Sequence, residues 1–139
     1  MAETMQRPLP TLSDLNRPFF HAAAEKRLAL QRCKACGHIR FPLGPVCSKC
    51  RSPETEWATL SGRGEVLAHL VFHQAYHAAW KDKLPYSVVQ VQLAEGPRLF
   101  SDLHDAPADH ASADYVGRQV TVDFVTLGEG LGLPVFRLA

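Results

Sequence analysis

Two cysteine pairs of the same spacing, Cys33-Lys-Ala-Cys36 and Cys47-Ser-Lys-Cys50, stand ten residues apart and constrain the fold of this chain more than any other feature. Two residues between cysteines let both thiolates of a tight turn point at one ion. N–H groups of the same turn hydrogen-bond to the sulfurs and spread their charge. Gly37 follows the first pair directly and accepts a left-handed backbone angle freely. Two such pairs at this separation read as a zinc ribbon. Four thiolates fill the tetrahedral shell of Zn2+, so the expected ion is structural, with no open position for water or substrate. A disulfide framework is the alternative use of four cysteines, and iron in a rubredoxin-type site takes the same ligands.

The rest of the chain bounds the function. Its 139 residues suffice for one compact domain, or for a small module attached to a larger one. With 46% hydrophobic and 21% charged residues the composition is that of a folded globular protein. Lys plus Arg number 15 against 14 Asp plus Glu, so there is no excess positive charge to draw the chain to a phosphate backbone, and nucleic acid is not favoured as a partner. The opening MAETMQRPLPTLSDL lacks a charged segment followed by an apolar core, and no stretch approaches the roughly 20 apolar residues of a membrane span. The expectation is a cytoplasmic protein without a membrane partner.

The apolar pattern divides the chain into an arm with a helix over 1–27, the ribbon over 28–61 and a β-rich unit over 62–139. Ser13 or Asp14 suits a first turn, Pro18 suits the opening of a helix, and Phe19 to Lys26 continues it, with Phe19, Phe20 and Ala23 on one face. Leu28 to Arg32 leads into the first cysteine pair as a strand, and Glu56 to Leu60 returns from the second. Gly62 and Gly64 then punctuate the join. Beyond it, Glu65 to His73, Tyr86 to Leu93, Arg98 to Leu103, Gln119 to Leu127 and Val135 to Leu138 have strand length. Val120, Val122 and Phe124 alternate with polar neighbours. Val89, Val91 and Leu93 do so against Ser87, Gln90 and Gln92. Gly128 to Leu133 reads as a flexible hairpin loop. Five short strands without long helices between them make a mainly β fold, most economically the five-stranded OB-fold barrel, with an SH3-like barrel as the alternative.

Three further groups of polar and aromatic residues bear on chemistry. His69, His73 and His77 recur every four residues and on a helix would line one face as a second metal site, but Val71 and Phe72 favour a strand that would place His69 and His73 on one face and His77 in a loop; surface or interface roles are expected. Tyr76, Trp80 and Tyr86 beside Lys81, Lys83 and Pro85 form either a lip that stacks on an adenine and meets phosphates, or partial core with a solvated rim. Asp102, His104, Asp105 and His110 read as a wet loop more readily than as acid and base groups. No GxSxG, P-loop, GxGxxG or HExxH pattern occurs.

In order along the chain, PFFHAAAEKRLALQRCKACGHIRFP, CSKC, WATLSGRGEVLAHLVFHQAYHAAWKDKLPYSVVQVQL, EGPRLFSDL, GRQVTVDF and PVFRLA resemble a family in which a rubredoxin-like zinc ribbon precedes an OB-fold. Its members are small acyl-CoA-associated companions of thiolases. The resemblance covers nearly the whole chain. Ser48 and Arg51 depart from it, standing where the family commonly has proline and glycine.

What the resemblance implies is a non-catalytic partner of a thiolase-like enzyme, or of a hot-dog-fold hydratase, with a barrel that helps to hold coenzyme A or acyl-CoA. Candidate contacts to that ligand are Tyr76, Trp80, Lys81, Lys83 and Tyr86, with Arg63, Arg98 and Arg118 as further basic groups; Cys33, Cys36, Cys47 and Cys50 are the metal ligands. Two other readings stand beside it: a single-stranded nucleic-acid binder, since OB-folds and ribbons both serve that purpose, and a small acyl-CoA hydrolase using the 102–110 loop.

Overall fold

The computed structural model describes residues 8–139. The first seven residues of the arm lie outside the described residues. One helix, α1 (Arg17–Ala24), precedes eight strands: β1 (Leu28–Cys33), β2 (Ile39–Arg40), β3 (Thr55–Leu60), β4 (Arg63–Phe72), β5 (Tyr86–Leu93), β6 (Arg98–Asp102), β7 (Gln119–Gly128) and β8 (Leu131–Leu138). A 3-10 helix, Ala78–Lys83, joins β4 to β5. Among the described residues no helix is long and apolar enough to cross a membrane.

Pro18 sits in the first turn of α1, and Ser13 and Asn16 bond each other's backbone N–H groups just before it, at 2.8 and 3.3 Å. The helix ends two residues before the expected Lys26. Lys26 adopts a left-handed φ of 61°, and the Lys26 and Arg27 N–H groups turn back to the carbonyls of Ala23 and Ala22 at 3.0 and 2.9 Å. This is the doubled hydrogen bond that closes many helices, here without glycine.

The ribbon sheet has the order β2-β1-β3, all antiparallel. The second sheet has five strands in the order β6-β5-β4-β7-β8, and a parallel bridge from Leu103 to Phe136 brings its two edges together. A three-strand meander, a β7–β8 hairpin paired to β4 and closure of the edges are the OB-fold arrangement. The five-strand expectation holds. Val66, Val89, Val91, Leu93, Val120 and Phe136 fill the barrel, and Leu28, Leu30 and Leu60 of the ribbon belong to the same apolar cluster.

Two expectations change. The segment Gly128 to Leu133 is no loose loop: β7 runs to Gly128 and β8 starts at Leu131, which leaves a tight turn of two residues. Gly132 is there for closeness, since a Cβ on it would lie 2.5 Å from the backbone of Ala23 and of Ala24. Helix α1 thus packs directly on the β8 backbone. Ser87 also changes face. It points inward with Val89, Val91 and Leu93, because the alternation along β5 places every second residue, Ser87 included, inside.

Candidate functional site

The four cysteines meet at one end of the ribbon. Their sulfurs all lie within 4.8 Å of one another, with 3.4 Å between Cys33 and Cys50 and 3.6 Å between Cys36 and Cys47. A tetrahedral ion with metal–sulfur bonds of about 2.3 Å needs sulfurs about 3.8 Å apart, so the cage fits Zn2+. Cys33 and Cys47 are buried, Cys36 and Cys50 exposed, and none is in a disulfide.

The two turns that present them are built alike. The N–H of Cys33 donates to His38 O, and that of Cys47 to Ser52 O, both at 2.9 Å. Gly37 N–H returns to Cys33 O at 2.8 Å, and Arg51 N–H to Cys47 O at 2.9 Å. Gly37 and Arg51 occupy matching positions with left-handed φ of 79° and 65°. Arg51 therefore holds an angle that costs a residue with a Cβ about 1 kcal/mol. The Lys49 N–H also points at Cys47 Sγ, 3.4 Å away.

Those backbone donors set the charge of the cage. The Cys36 N–H holds the Cys33 thiol below its usual range against the opposing effect of burial. The Cys50 N–H, aided by that of Lys49, brings Cys47 down to about 6. At Cys50 the Ser52 N–H favours the thiolate, but the shared proton with Cys33, burial, Cys36 and Cys47 together outweigh it and push the thiol up to about 12. Without a cation the fourth sulfur keeps its proton. A metal ion resolves that conflict and leaves no vacant coordination position.

The aromatic and basic residues form a second region. Trp80, Lys83 and Tyr86 line one cavity of about 300 Å³ together with Ser87, Asp102, His104 and His110. Lys83 Nζ stands 5.6 Å over the Trp80 ring, and Tyr86 stacks on Phe72 at 5.0 Å with 10° between the planes. Tyr76 meets Phe72 edge-on at 6.2 Å and is 75% exposed, while Lys81 is exposed on the 3-10 helix. The three arginines are elsewhere. Arg63 lines a separate cavity of about 440 Å³, Arg98 Nε donates to Gln92 Oε1 at 2.8 Å, and Arg118 lies 5.9 Å from the Tyr115 ring centre.

The histidines take different duties. His77 caps the 3-10 helix, its Nδ1 accepting from the Ala79 N–H at 3.0 Å, and His73 falls just beyond β4. His69 turns inward because a bulge between Val66 and Ala68 shifts the register of β4. There its Nε2 meets Ser87 Oγ at 2.8 Å, and the same hydroxyl bonds His110 Nδ1 at 2.6 Å. Sequence reading missed Ser87. The signal was its position in step with Val89 and Val91.

The model for the rubredoxin-like zinc ribbon domain of ChsH2 matches residues 20–56, and that for the C-terminal OB-fold domain of ChsH2 matches residues 57–125. A solved structure described as Ltp2-ChsH2(DUF35) aldolase superposes with a TM-score of 0.81 at 35% identity, covering 94% of this chain and 98% of that one. A probable enoyl-CoA hydratase alpha subunit of Thermomonospora curvata is 37% identical over 133 residues, 96% of this chain. The benzoylsuccinyl-CoA thiolase subunit BbsA of Thauera aromatica is 34% identical over 85 residues, 61% of this chain. This chain spans 40% of the length of the hydratase subunit and 57% of the thiolase subunit.

Proposed function

Since this chain belongs to the DUF35 family, in which a rubredoxin-like zinc ribbon is joined to a C-terminal OB-fold, we propose that it is a non-catalytic accessory subunit that binds acyl-CoA or coenzyme A. In this reading it supports a thiolase-like or hot-dog-fold hydratase partner in cytoplasmic acyl-CoA metabolism. A structural Zn2+ on Cys33, Cys36, Cys47 and Cys50 fixes the ribbon, and the barrel over 62–139 carries the ligand.

The observation that carries the ligand half is shared lining. Trp80 and Asp102 border both the polar 300 Å³ cavity and an apolar groove of about 420 Å³ that includes Leu9, Phe20, Phe100, Leu127 and Leu133. Phe100 is 56% exposed in that groove. A surface that changes from charged to apolar across one tryptophan suits a ligand that does the same, and an acyl-CoA carries phosphates and adenine at one end and an acyl chain at the other. Tyr76, Trp80 and Tyr86 would take the adenine ring, and Lys81 and Lys83 the phosphates. The partner half is supported by the relatives, two of which are named as subunits of acyl-CoA enzymes.

The test is direct. Protein isolated from its native host should come with a thiolase or hydratase on size exclusion, and the purified chain should give calorimetric heat with coenzyme A. A lone chain that binds no coenzyme A thioester sinks the proposal. A salt-dependent shift with single-stranded DNA would favour the nucleic-acid reading instead, and free thiol released from acyl-CoA would favour the hydrolase.

A further inference from the structure

Arg40 brings a permanent positive charge into the interior. It is 5% exposed, its Nη2 donates to Gly44 O at 3.0 Å and to Thr55 Oγ1 at 2.8 Å, and its Nε and Nη1 have no hydrogen-bond partner. Among the described residues no carboxylate forms an ion pair with it. A guanidinium does not shed its proton, and a buried charge without a partner is strongly destabilising. Within ion-pair distance, then, no described Asp or Glu supplies its counter-charge.

The register of the ribbon sheet points to the source. Arg40 lies opposite Gln31 on β1, two residues before Cys33, and Thr55 on β3 lies opposite Cys33 itself. Residues two apart on a strand share a face, as do residues directly opposite across a ladder. Gln31, Cys33, Arg40 and Thr55 therefore project from one face, and the hydrogen bond to Thr55 holds the guanidinium beside the strand position of a metal ligand. A divalent ion with four thiolates sums to two negative charges.

We propose that Arg40 is the internal counter-charge of the metal-loaded cysteine cage. It is a positioning residue and no ligand. Its second anchor carries the effect outward: Gly44 O accepts from Arg40 while Gly44 N–H donates to Gln31 Oε1 at 2.9 Å. Arg40 itself and the 41–44 segment it fixes line a cleft of about 720 Å³ together with His38, Ser48 and Lys49 from the two cysteine turns. Metal and cleft shape are thereby linked through one arginine.

The experiment is a competition titration of the zinc-loaded full chain against a chromophoric chelator, on wild type, Arg40→Met, Arg40→Lys and Thr55→Val. The charge model expects Arg40→Met to hold Zn2+ about tenfold more weakly, with Arg40→Lys close to wild type and Thr55→Val, which keeps the charge and loses one of its two anchors, weakened less than Arg40→Met. Co2+ in Arg40→Met should keep its tetrahedral bands, because the ligands are untouched. Unchanged affinity in Arg40→Met overturns the proposal. So does an equal loss in Thr55→Val, which would mean that hydrogen-bonded packing is what matters. If Arg40→Met does not fold, Arg40→Gln takes its place with the same expected loss, since it removes the charge and keeps a donor.

Discussion

His69 Nε2 lies 2.8 Å from Ser87 Oγ, and this contact ties β4 to β5 at one end of the barrel while the same hydroxyl holds His110 of the segment between β6 and β7. Ser87 is 4% exposed, and Tyr115 packs on His69 with ring centres 5.0 Å apart. A hydroxyl between two imidazoles donates to one and accepts from the other, so the arrangement is satisfied while both rings are neutral.

Acid should loosen this end of the barrel. Burial lowers the pKa of His69 first, and His110 lowers it further, while the Ala113 backbone and Asp114 pull the other way. The unfolded chain then binds more protons than the folded one as pH falls through the ordinary histidine value of about 6.5, so this contribution to stability is full above that value and is lost below it. His69→Gln should flatten the decline between neutral and mildly acid solution, and Ser87→Ala should cost about 1–2 kcal/mol at neutral pH. Urea midpoints at the two pH values check both.

The second cysteine turn is strained where the first is not. Arg51 holds a φ of 65° at the position that Gly37 fills in the other turn. Arg51→Gly is expected to stabilise the zinc-loaded protein by about 0.5–1 kcal/mol, because glycine removes the left-handed penalty at a modest entropic cost. Gly37→Ala should destabilise by about 1 kcal/mol for the converse reason. Thermal unfolding of the two loaded variants decides, and a lower midpoint for Arg51→Gly would refute the strain argument.

Metal binding should release protons. In the empty cage Cys47 lies at about 6 and is mostly thiolate at neutral pH, whereas Cys50 at about 12 is protonated. The loaded cage holds four thiolates, so the empty form binds more protons and affinity for Zn2+ must rise with pH. Titrating Zn2+ into the stripped chain at pH 7 in dilute buffer with an indicator dye should show acidification that includes the Cys50 proton. Removing the ion with a chelator should unfold the ribbon, seen as loss of protection from proteolysis between β1 and β3.

Much of this was legible in the residues. Cysteine spacing fixed the cage because the chemistry tolerates little else, and alternation in β7 announced a barrel strand. What stayed hidden was what alternation cannot express. The bulge between Val66 and Ala68 re-aims His69 without leaving a mark in the sequence. Ser87 read as an outward polar residue because its two imidazole partners come from a different strand and a distant loop. Nothing in the residues marked Arg40 as buried, since the atoms that hold it belong to β3 and the 41–44 segment. The glycines of 128–133 suggested looseness, but Gly132 serves the close approach of α1.

Trp80 is the residue on which the ligand reading can be tested most sharply. Its ring borders the polar and the apolar cavities, meets His77 edge-on at 5.9 Å and lies 6.3 Å from Tyr86, so it can lose its side chain while Phe72 and Tyr86 remain stacked. An aromatic ring that stacks on a nucleobase contributes about 1–3 kcal/mol by alanine substitution. Trp80→Ala should therefore weaken coenzyme A binding by about tenfold or more. Lys83→Ala should weaken it less and make the remaining binding less sensitive to salt, because a solvated phosphate contact is screened. Calorimetry with coenzyme A and with pantetheine separates the contributions: if the adenine end is held at Trp80, pantetheine affinity is the same in wild type and Trp80→Ala. An equal loss for both compounds would place the tryptophan against the acyl arm and move the adenine elsewhere on the barrel.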